Sequence, residues 1–320
     1  MESNESLLLK AIEKFSEKKI LVLGDGIVDE YIYGSHIGSS LDSPNTKKLE
    51  HKKTEIFMGG AGNVSENLLA LGANITFVTV LGNDSSSEHY KNWSHQNLQP
   101  YYLLEEGRKT IVKSRICEEG NKLLELEYLD CRDISKDTEK KIIEIVKKEI
   151  WRNDVIIFQD QGHGFFSNSL LENLKSLVKD KKVLVNHQIY LEGQSHLKYS
   201  GFHTIFMNLK EAKLIDSNFS PELDGRFLTE KLRSNACVTL GGEGALFFAK
   251  GQKYYSRGLD VTPVDSCGAG DSFLSAFAVS DFESHPDLSL QLANAWAGLS
   301  VQKRGTEVPN IKELIGLYSN

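Results

Sequence analysis

The sequence predicts an α/β fold in which helices cover both faces of a central, mostly parallel sheet and a small β-sheet forms a lid over it. Short apolar runs alternate with segments of helical spacing along most of the chain. Continuous apolar strands between helices are typical of a parallel sheet that is buried on both faces. Two long segments interrupt this alternation, since residues 31–56 contain no clear helix and residues 101–128 show a period of two.

The apolar runs predicted to form the central sheet are 19–24, 75–81, 154–159, 183–186, 204–207 and 236–240. The segments predicted as helices include 62–71, 137–149, 168–178 and 288–303, and an amphipathic helix is expected near the N-terminus. Ligands of parallel sheets bind beyond the carboxyl ends of the strands. The residues that follow each strand are therefore the candidates for a functional site.

The two interrupting segments are predicted to form the lid. In the second segment, Ile111, Lys113, Arg115 and Cys117 alternate with their neighbours and share one face of a strand. The alternative is a pair of decorated loops, but loops this long without secondary structure are uncommon. Because no repeat or linker is visible, we expect residues 1–320 to form a single domain.

The composition excludes several classes of protein. The chain has 320 residues, a formal net charge of −7 and 40% hydrophobic residues, which is ordinary for a globular protein and unlike a disordered chain. We expect no nucleic-acid partner, because that affinity depends on dense positive charge. No apolar run approaches the roughly 18 residues of a membrane span, and the N-terminus lacks the features of a signal peptide. The four cysteines form no CxxC pair, so we expect free thiols and a cytoplasmic location.

The strongest candidate site is the segment Asp265-Ser-Cys-Gly-Ala-Gly-Asp271, which precedes an apolar helical run. Gly268 and Gly270 let the backbone turn tightly and approach a ligand. The unpaired N–H groups at the start of the helix then favour an anion. Asp271 stands beside that anion site, where a carboxylate can accept the proton of a hydroxyl during phosphoryl transfer. The alternative is a glycine-rich turn in which Asp271 caps a helix.

Two further segments place polar groups near strand ends. Gly59 and Gly60 bring backbone amides near a ligand, and Asn63 can donate to and accept from sugar hydroxyls. Asp25 and Asp29 leave the first strand in a pattern that imitates a dinucleotide fingerprint, but Asp29 occupies the third glycine position, which excludes that site. Their carboxylates would bind hydroxyls instead. The alternatives are a capped tight turn and solvated turn acids.

Two weaker motifs follow later strands. Asn208 and Glu211 lie one helical turn apart, where an amide and a carboxylate can hold the water shell of Mg²⁺. The glycine-rich segment 239–245 would wrap a nucleotide. An ordinary helix start and a glycine-rich hairpin are the alternatives. No GxxxxGK[ST] segment is present, which excludes a P-loop, and the histidines show no metal-ligand spacing.

Taken together and in this order, the motifs resemble those of the ribokinase (PfkB-type) carbohydrate kinases, over roughly residues 18–308. The resemblance rests mainly on Asp265…Asp271 and Gly59-Gly60-Ala61-Gly62-Asn63, with support from Asn208…Glu211 and Ala293-Asn294-Ala295. Within that family the chain looks most like the bacterial heptose-7-phosphate kinases. The resemblance implies a ribokinase-like fold and transfer of the ATP γ-phosphate to a sugar hydroxyl.

The resemblance also assigns roles to particular positions. It implies that Asp271 is the catalytic base and that Gly268, Ala269 and Gly270 form the anion hole. The implied substrate-binding residues are Asp29, Gly59, Gly60, Asn63, Lys113, Arg115 and Asp160, where Lys113 and Arg115 would meet a phosphate on the sugar. The implied nucleotide-binding residues are Asn208, Thr239, Gly241, Gly244 and Asn294. Glu211 would hold Mg²⁺ through water, and Asp265 would border a monovalent cation such as K⁺. The lid would also form the interface of a homodimer.

Some positions depart from the heptose-kinase pattern. The usual Asp-Tyr-x-Lys-Gly reads Asp160-Gln161-Gly162-His163-Gly164, and the usual Asp-Pro-Lys-Gly reads Asn186-His187-Gln188-Ile189. A lid stretch, residues 41–46, also differs. These changes leave open a kinase for another sugar or a nucleoside, and a non-catalytic sensor of nucleotide or sugar on the same scaffold. We expect no nucleotidyltransferase domain in this chain.

Overall fold

The computed structural model describes residues 3–43, 45–189 and 195–319; residue 44 of the predicted lid lies outside the described residues. In chain order the strands are β1 Lys19–Gly24, β2 Gly26–Ser39, β3 Lys47–Gly60, β4 Asn74–Gly82, β5 Leu98–Glu105, β6 Ile111–Glu118, β7 Asn121–Tyr128, β8 Val155–Asp160, β9 Lys182–His187, β10 Thr204–Asn208, β11 Asn235–Thr239, β12 Ala245–Ala249 and β13 Gln252–Ser256. The α-helices are α1 Asn4–Glu13, α2 Ala61–Ala70, α3 Glu88–Lys91, α4 Lys136–Glu149, α5 Asn168–Leu177, α6 Leu209–Ile215, α7 Arg226–Leu232, α8 Ala269–Val279, α9 Pro286–Ser300 and α10 Ile311–Gly316.

The large sheet has the strand order β13-β12-β11-β10-β9-β8-β1-β4-β5. The pairings from β5 to β11 are parallel, and β12 pairs antiparallel with both of its neighbours. The strand segments predicted from apolar runs and the helices predicted from periodicity are confirmed, with ends that differ by a few residues. The carboxyl ends of β1, β8, β9, β10 and β11 consequently lie side by side along one edge.

The hydrophobic core forms two layers, one on each face of the large sheet. Strand β1 shows the division, since Ile20 and Val22 belong to one layer and Leu21 and Leu23 belong to the other. The first layer also contains buried residues of α1, α2, α8 and α9, and the second contains those of α4 to α7. A strand whose side chains are buried on both faces must be apolar throughout, which is why β1 reads as a continuous apolar run.

The lid is a four-stranded sheet with the order β3-β2-β6-β7. Strand β2 begins at Gly26 and is separated from the end of β1 only by Asp25, so the lid leaves the main sheet directly at its carboxyl edge. The prediction that 101–128 belongs to the lid is wrong for its first part. Leu98–Glu105 pairs in parallel with β4 and is the edge strand of the large sheet. Its Tyr102 packs on one core layer, and its Tyr101 and Leu103 pack on the other. The period of two predicts a strand, but it does not predict which of the two sheets the strand joins.

Within the described ranges, no helix combines the length and the apolar character that crossing a membrane requires.

Candidate active site

Two cavities meet at the first turn of α8. The larger has a volume of about 650 Å³ and lies between the lid and the carboxyl edge of the sheet. The smaller has a volume of about 270 Å³ and lies on the other side of the same turn. Gly268 and Asp271 line the larger cavity, and Ala269 and Gly270 line the smaller one. The predicted anion site is therefore the wall that the two cavities share.

Amide groups hold the Asp271 carboxylate at this wall. Oδ2 accepts a hydrogen bond from Asn63 Nδ2 at 2.8 Å. Oδ1 accepts one from Gln159 Nε2 at 2.8 Å and a longer one from Asn186 Nδ2 at 3.4 Å. Gln159 lies near the end of β8 and Asn186 near the end of β9. Two strand ends and helix α2 thus fix one carboxylate on α8.

The electrostatic environment of Asp271 suits a proton acceptor. Burial raises the pKa of its carboxyl to about 6, because removal from water disfavours the charged form, and the amides of Asn63 and Gln159 oppose part of that rise. A carboxylate with a raised pKa is a stronger base than an exposed one and is still ionised at neutral pH. Its position and basicity together fit general-base chemistry on a hydroxyl in the larger cavity.

Gly268 shapes the turn that precedes α8. Its backbone has φ +75°, in the left-handed region that favours glycine. A Cβ at this position would also lie 2.7 Å from Asn63 Nδ2. The close approach brings the start of α8 against α2. The first N–H groups of a helix have no intrahelical acceptor, and those of α8 belong to residues that line the two cavities; that of Ala269 donates to the Ser266 carbonyl at 3.3 Å.

Charged groups of the lid line the opposite wall of the larger cavity. Arg115 on β6 contacts Asp29 Oδ1 at 2.5 Å and Glu125 at 3.0 Å. Lys113, two residues before Arg115, pairs with Glu127 at 3.1 Å. Burial raises the pKa of the Asp29 carboxyl, and Arg115 opposes the rise. The cavity therefore contains cations that already contact carboxylates.

Several predicted substrate residues line this cavity and others do not. Asp29, Gly60, Lys113 and Arg115 are among its lining residues. Gly59 lies behind Asp29, and a side chain there would collide with the Asp29 carboxylate. Asn63 is buried and gives its amide to Asp271. These two positions support groups in the wall.

Asp160 is likewise not among the described lining residues of the two cavities. It is 1% exposed, and its carboxylate accepts hydrogen bonds from Tyr199 and Lys198 and contacts the ring of His187. These partners hold the pKa of Asp160 well below its usual range in spite of burial. In this structure the carboxylate joins the end of β8 to the end of β9, and the substrate contact that the resemblance implies for Asp160 stays a prediction.

His163, which replaces the lysine of the heptose-kinase pattern, does not supply a cation here. It is buried, and burial lowers the pKa of its ring to about 4. Its backbone carbonyl accepts a hydrogen bond from Arg108, and its Nδ1 lies 3.5 Å from the sulfur of Cys131. The side chain is therefore neutral near pH 7.

The smaller cavity is lined mainly by glycine and apolar residues. Of the five residues that the resemblance implies for nucleotide binding, Thr239, Gly241, Gly244 and Asn294 line it, and Asn208 is not among its described lining residues. Leu259, Pro263, Phe273, Ala297 and Val301 supply its apolar surface. Asn294 Nδ2 donates to the carbonyl of Ser256 at 2.9 Å, which fixes α9 against the end of β13. A largely apolar cavity beside the start of a helix fits a purine nucleotide.

Asn208 and Glu211 form a capping box at the start of α6. Glu211 Oε2 accepts from the Asn208 amide at 2.8 Å, and Asn208 Oδ1 accepts from the Glu211 amide at 3.0 Å. Burial raises the pKa of Glu211, because removal from water disfavours its charged form, and the hydrogen bond from the Asn208 amide opposes that rise. A carboxylate and an amide oxygen are ligands that Mg²⁺ accepts. Because both already bind backbone, the residues fit Mg²⁺ held through water.

Asp265 does not fit a monovalent cation in this structure. Its Oδ1 accepts from Lys122 Nζ at 2.9 Å and from the Cys267 amide at 3.0 Å, and its Oδ2 accepts from the Gly305 amide at 3.2 Å. Lys122 belongs to the lid strand β7. An ammonium group of the protein thus occupies the carboxylate that the resemblance assigned to a cation.

Sequence reasoning missed several residues of the site. Gln159 gave one available signal, its place near the end of a predicted strand. Glu125 and Glu127 also gave a signal, since they alternate along the lid segment in step with Lys113 and Arg115. The pairing of Lys122 with Asp265 joins two segments that no local pattern connects.

A sequence model described as pfkB family carbohydrate kinase matches residues 18–313. The bifunctional protein HldE of Desulfatibacillum aliphaticivorans is 29% identical over 315 residues, covering 95% of this chain and 63% of that protein. The chain thus spans less than two thirds of the length of that relative.

Solved structures show the same fold. Ribokinase from Thermotoga maritima matches with a TM-score of 0.70 and 20% identity, covering 95% of this chain and 100% of that one. Phosphofructokinase-2 from Escherichia coli matches with a TM-score of 0.74 and 14% identity, covering 94% of this chain and 98% of that one. The predicted ribokinase-like α/β fold with a small lid sheet is therefore confirmed.

Proposed function

The chain belongs to the pfkB family of carbohydrate kinases, and from that premise we propose that it phosphorylates a sugar held beneath the lid at the expense of ATP. The observation that carries the proposal is the shared wall, where Asp271 faces one cavity and the first amides of α8 adjoin the other. A sugar hydroxyl in the larger cavity and the phosphates of a nucleotide in the smaller one would meet there.

The proposed reaction uses residues of this wall. Asp271 accepts the proton of the sugar hydroxyl while the sugar oxygen bonds to the γ-phosphorus of ATP. The bond from that phosphorus to the bridging oxygen breaks, and its electron pair remains on the ADP β-phosphate. The amides between Gly268 and Asp271 stabilise the negative charge of the transferring group.

Mg²⁺ would neutralise part of the ATP charge when it is bound. Asn208 and Glu211 are the residues proposed to hold it, through water, because they combine an amide oxygen with a carboxylate at one helix start. We propose that the reaction takes place in the cytoplasm, where ATP is made. The four cysteines are free thiols, which is usual in a reducing compartment.

For the acceptor, the proposed substrate is heptose 7-phosphate, converted to heptose 1,7-bisphosphate for nucleotide-sugar and surface-polysaccharide synthesis. The support is the resemblance to heptose-7-phosphate kinases and the likeness to HldE proteins over nearly the whole chain. Lys113 and Arg115 line the cavity at the side of the lid, where they would meet the 7-phosphate.

A sugar without phosphate is the second candidate, favoured by the charges of the same cavity. Its described lining contains the carboxyl groups of Asp29, Glu125, Glu127 and Asp271 against the cations of Lys113 and Arg115. Each cation already contacts a carboxylate. A dianionic phosphate would have to displace those contacts, whereas neutral hydroxyls would bind between them.

A panel of acceptors tests the proposal. The purified chain is given MgATP and, in separate reactions, heptose 7-phosphate, free heptose, fructose, ribose and a nucleoside, and ADP release and product mass are measured. Turnover of heptose 7-phosphate alone supports the first candidate, and turnover of a free sugar supports the second. ATP binding without turnover of any acceptor would favour a sensor instead.

A homodimer through the lid is proposed from its outer face. Leu124, Leu126 and Tyr128 on β7 are each about half exposed, and Ile56 on β3 is 39% exposed. Apolar side chains clustered on one face of a sheet are typical of a protein interface. Sedimentation of the wild type and of Leu126→Glu tests this, with a dimer expected for the first and a monomer for the second.

A further inference from the structure

Two buried side chains that line neither cavity form a chain of hydrogen bonds to Asp271. Trp296 Nε1 donates to Asn67 Oδ1 at 2.8 Å. Asn67 Nδ2 donates to Asn63 Oδ1 at 3.1 Å and to the Asn63 carbonyl at 2.9 Å. Asn63 Nδ2 then donates to Asp271 Oδ2 at 2.8 Å. This series of hydrogen bonds links α9 to α8 through α2.

The groups at the two ends of this hydrogen-bond series determine which partner donates in each bond. An indole nitrogen can only donate, and a carboxylate can only accept. Trp296 therefore sets which end of the Asn67 amide faces it, and Asn67 in turn sets the orientation of the Asn63 amide. Amide oxygen and nitrogen are otherwise interchangeable in shape. The indole N–H therefore acts together with the Asn63 carbonyl and the Asp271 carboxylate, and the three groups hold both amides in the orientation that presents a donor to Asp271.

Burial makes this orientation costly to lose. Asn67 and Trp296 are 0% exposed and Asn63 is 1% exposed, so water does not replace a missing partner. A rotated Asn63 amide would direct its oxygen at the Asp271 carboxylate. The torsion of a carboxylate about its last bond is soft, and Asp271 would then turn away from the position that Asn63 and Gln159 now hold.

We propose that Trp296 and Asn67 are positioning residues, which orient the Asp271 base through Asn63 without contacting either substrate. This inference rests on the role proposed for Asp271. It predicts that loss of the indole N–H lowers kcat and leaves KM for both substrates nearly unchanged. It also predicts a higher pKa for Asp271, because the ionised carboxylate loses a hydrogen bond.

The test is Trp296→Phe in the full chain, with Trp93→Phe as the matched control. Trp93 is a partly buried tryptophan in an aromatic cluster with Phe77 and Tyr90, where the same change removes an indole without touching the chain of bonds. The Asp271 carboxyl is titrated by ¹³C NMR, its signal being assigned with Asp271→Asn. Steady-state rates are measured with MgATP and the acceptor of highest turnover in the panel.

Trp296→Phe is expected to raise the pKa of Asp271 by about one unit, the size of one charge-assisted hydrogen bond, and to lower kcat by roughly tenfold. Asn67→Leu should give the same two changes, and the double variant should add little to either single one, since both break one chain. Trp93→Phe should change neither quantity. If Trp296→Phe fails to fold, benzothienylalanine at position 296 keeps the bicyclic ring and removes only the N–H.

An unchanged Asp271 pKa and kcat in a folded Trp296 variant would overturn the inference, as would an effect confined to KM. The proposed function has a separate failure. If Asp271→Asn retains turnover, the base itself is wrongly assigned; if Asp271→Asn is inactive and the Trp296 variant is normal, only the positioning role is wrong.

Discussion

Asn63 donates a hydrogen bond to Asp271 at 2.8 Å across 208 residues of sequence. The bond joins the two glycine-rich segments that stood out in the sequence, one at the start of α2 and the other at the start of α8. It also couples a residue first interpreted as sugar-binding to the residue interpreted as the base. The site is therefore built by contact between helices as much as by the strand ends.

Asp271→Asn keeps the shape of the side chain but cannot take a proton at neutral pH, so kcat should fall by roughly 10²–10⁴-fold. ADP release with the best acceptor measures the change. ATP affinity, measured by calorimetry, should stay close to wild type because the smaller cavity is untouched. Turnover near the wild-type value would show that another group accepts the proton.

The pH dependence of kcat/KM should report the same carboxyl. Asp271 acts as a base only when ionised, and burial raises its pKa to about 6. Activity is therefore expected to be constant above that pH and to fall about tenfold per unit below it. Asp25→Asn is the control, because burial and Asp160 raise the pKa of Asp25 to about 7. An acidic limb that moves in this variant would assign the limb to Asp25.

The pair formed by Arg115 and Asp29 should matter for stability. Both side chains are buried in the lid, and Arg115→Met leaves the Asp29 carboxylate without its closest cation. The free energy of unfolding, measured by urea denaturation, should fall by about 3 kcal/mol. Lys140→Met removes one partner of an ion pair with Asp137 in which both side chains are exposed and should cost much less, because water screens such a pair. Equal losses in the two variants would contradict the burial argument.

The contact between Lys122 and Asp265 predicts an enzyme that does not require K⁺. Replacing K⁺ by tetramethylammonium should leave wild-type turnover unchanged. Lys122→Met should lower kcat/KM by about two- to fivefold, the effect of one partly exposed ion pair. Lys47→Met breaks a comparable lid pair with Glu118 and is expected to be neutral. Strong K⁺ activation of the wild type would show that a cation displaces Lys122.

The smaller cavity should belong to the nucleotide. Ala297 lies on α9 in its wall, and Ala297→Phe would fill the cavity. KM for ATP is expected to rise at least about tenfold, the cost of losing a few apolar contacts, while KM for the sugar changes little. Ala297→Ser is the control of nearly equal size. A rise in the sugar KM instead would reverse the assignment of the two cavities.

The sequence by itself determined the fold class and the chemical groups of the site. Apolar runs such as Lys19–Gly24 must be buried on both faces, and that requirement alone predicts a parallel sheet between helices. The segment that ends at Asp271 likewise predicts an anion site, because local backbone geometry makes it.

Only the tertiary structure decided which strands pair and which side chains contact each other. Leu98–Glu105 has the same period of two as a lid strand, and only the neighbour available to it placed it in the large sheet. Lys122 meets Asp265, and Trp296 orients Asn63 through Asn67, across distances in sequence that no local pattern spans. Hydrogen bonds and ion pairs act over short distances, so the packing of helices and strands determines which residues form them. Burial acts on each residue separately, and the spacing of apolar residues along the sequence therefore records it.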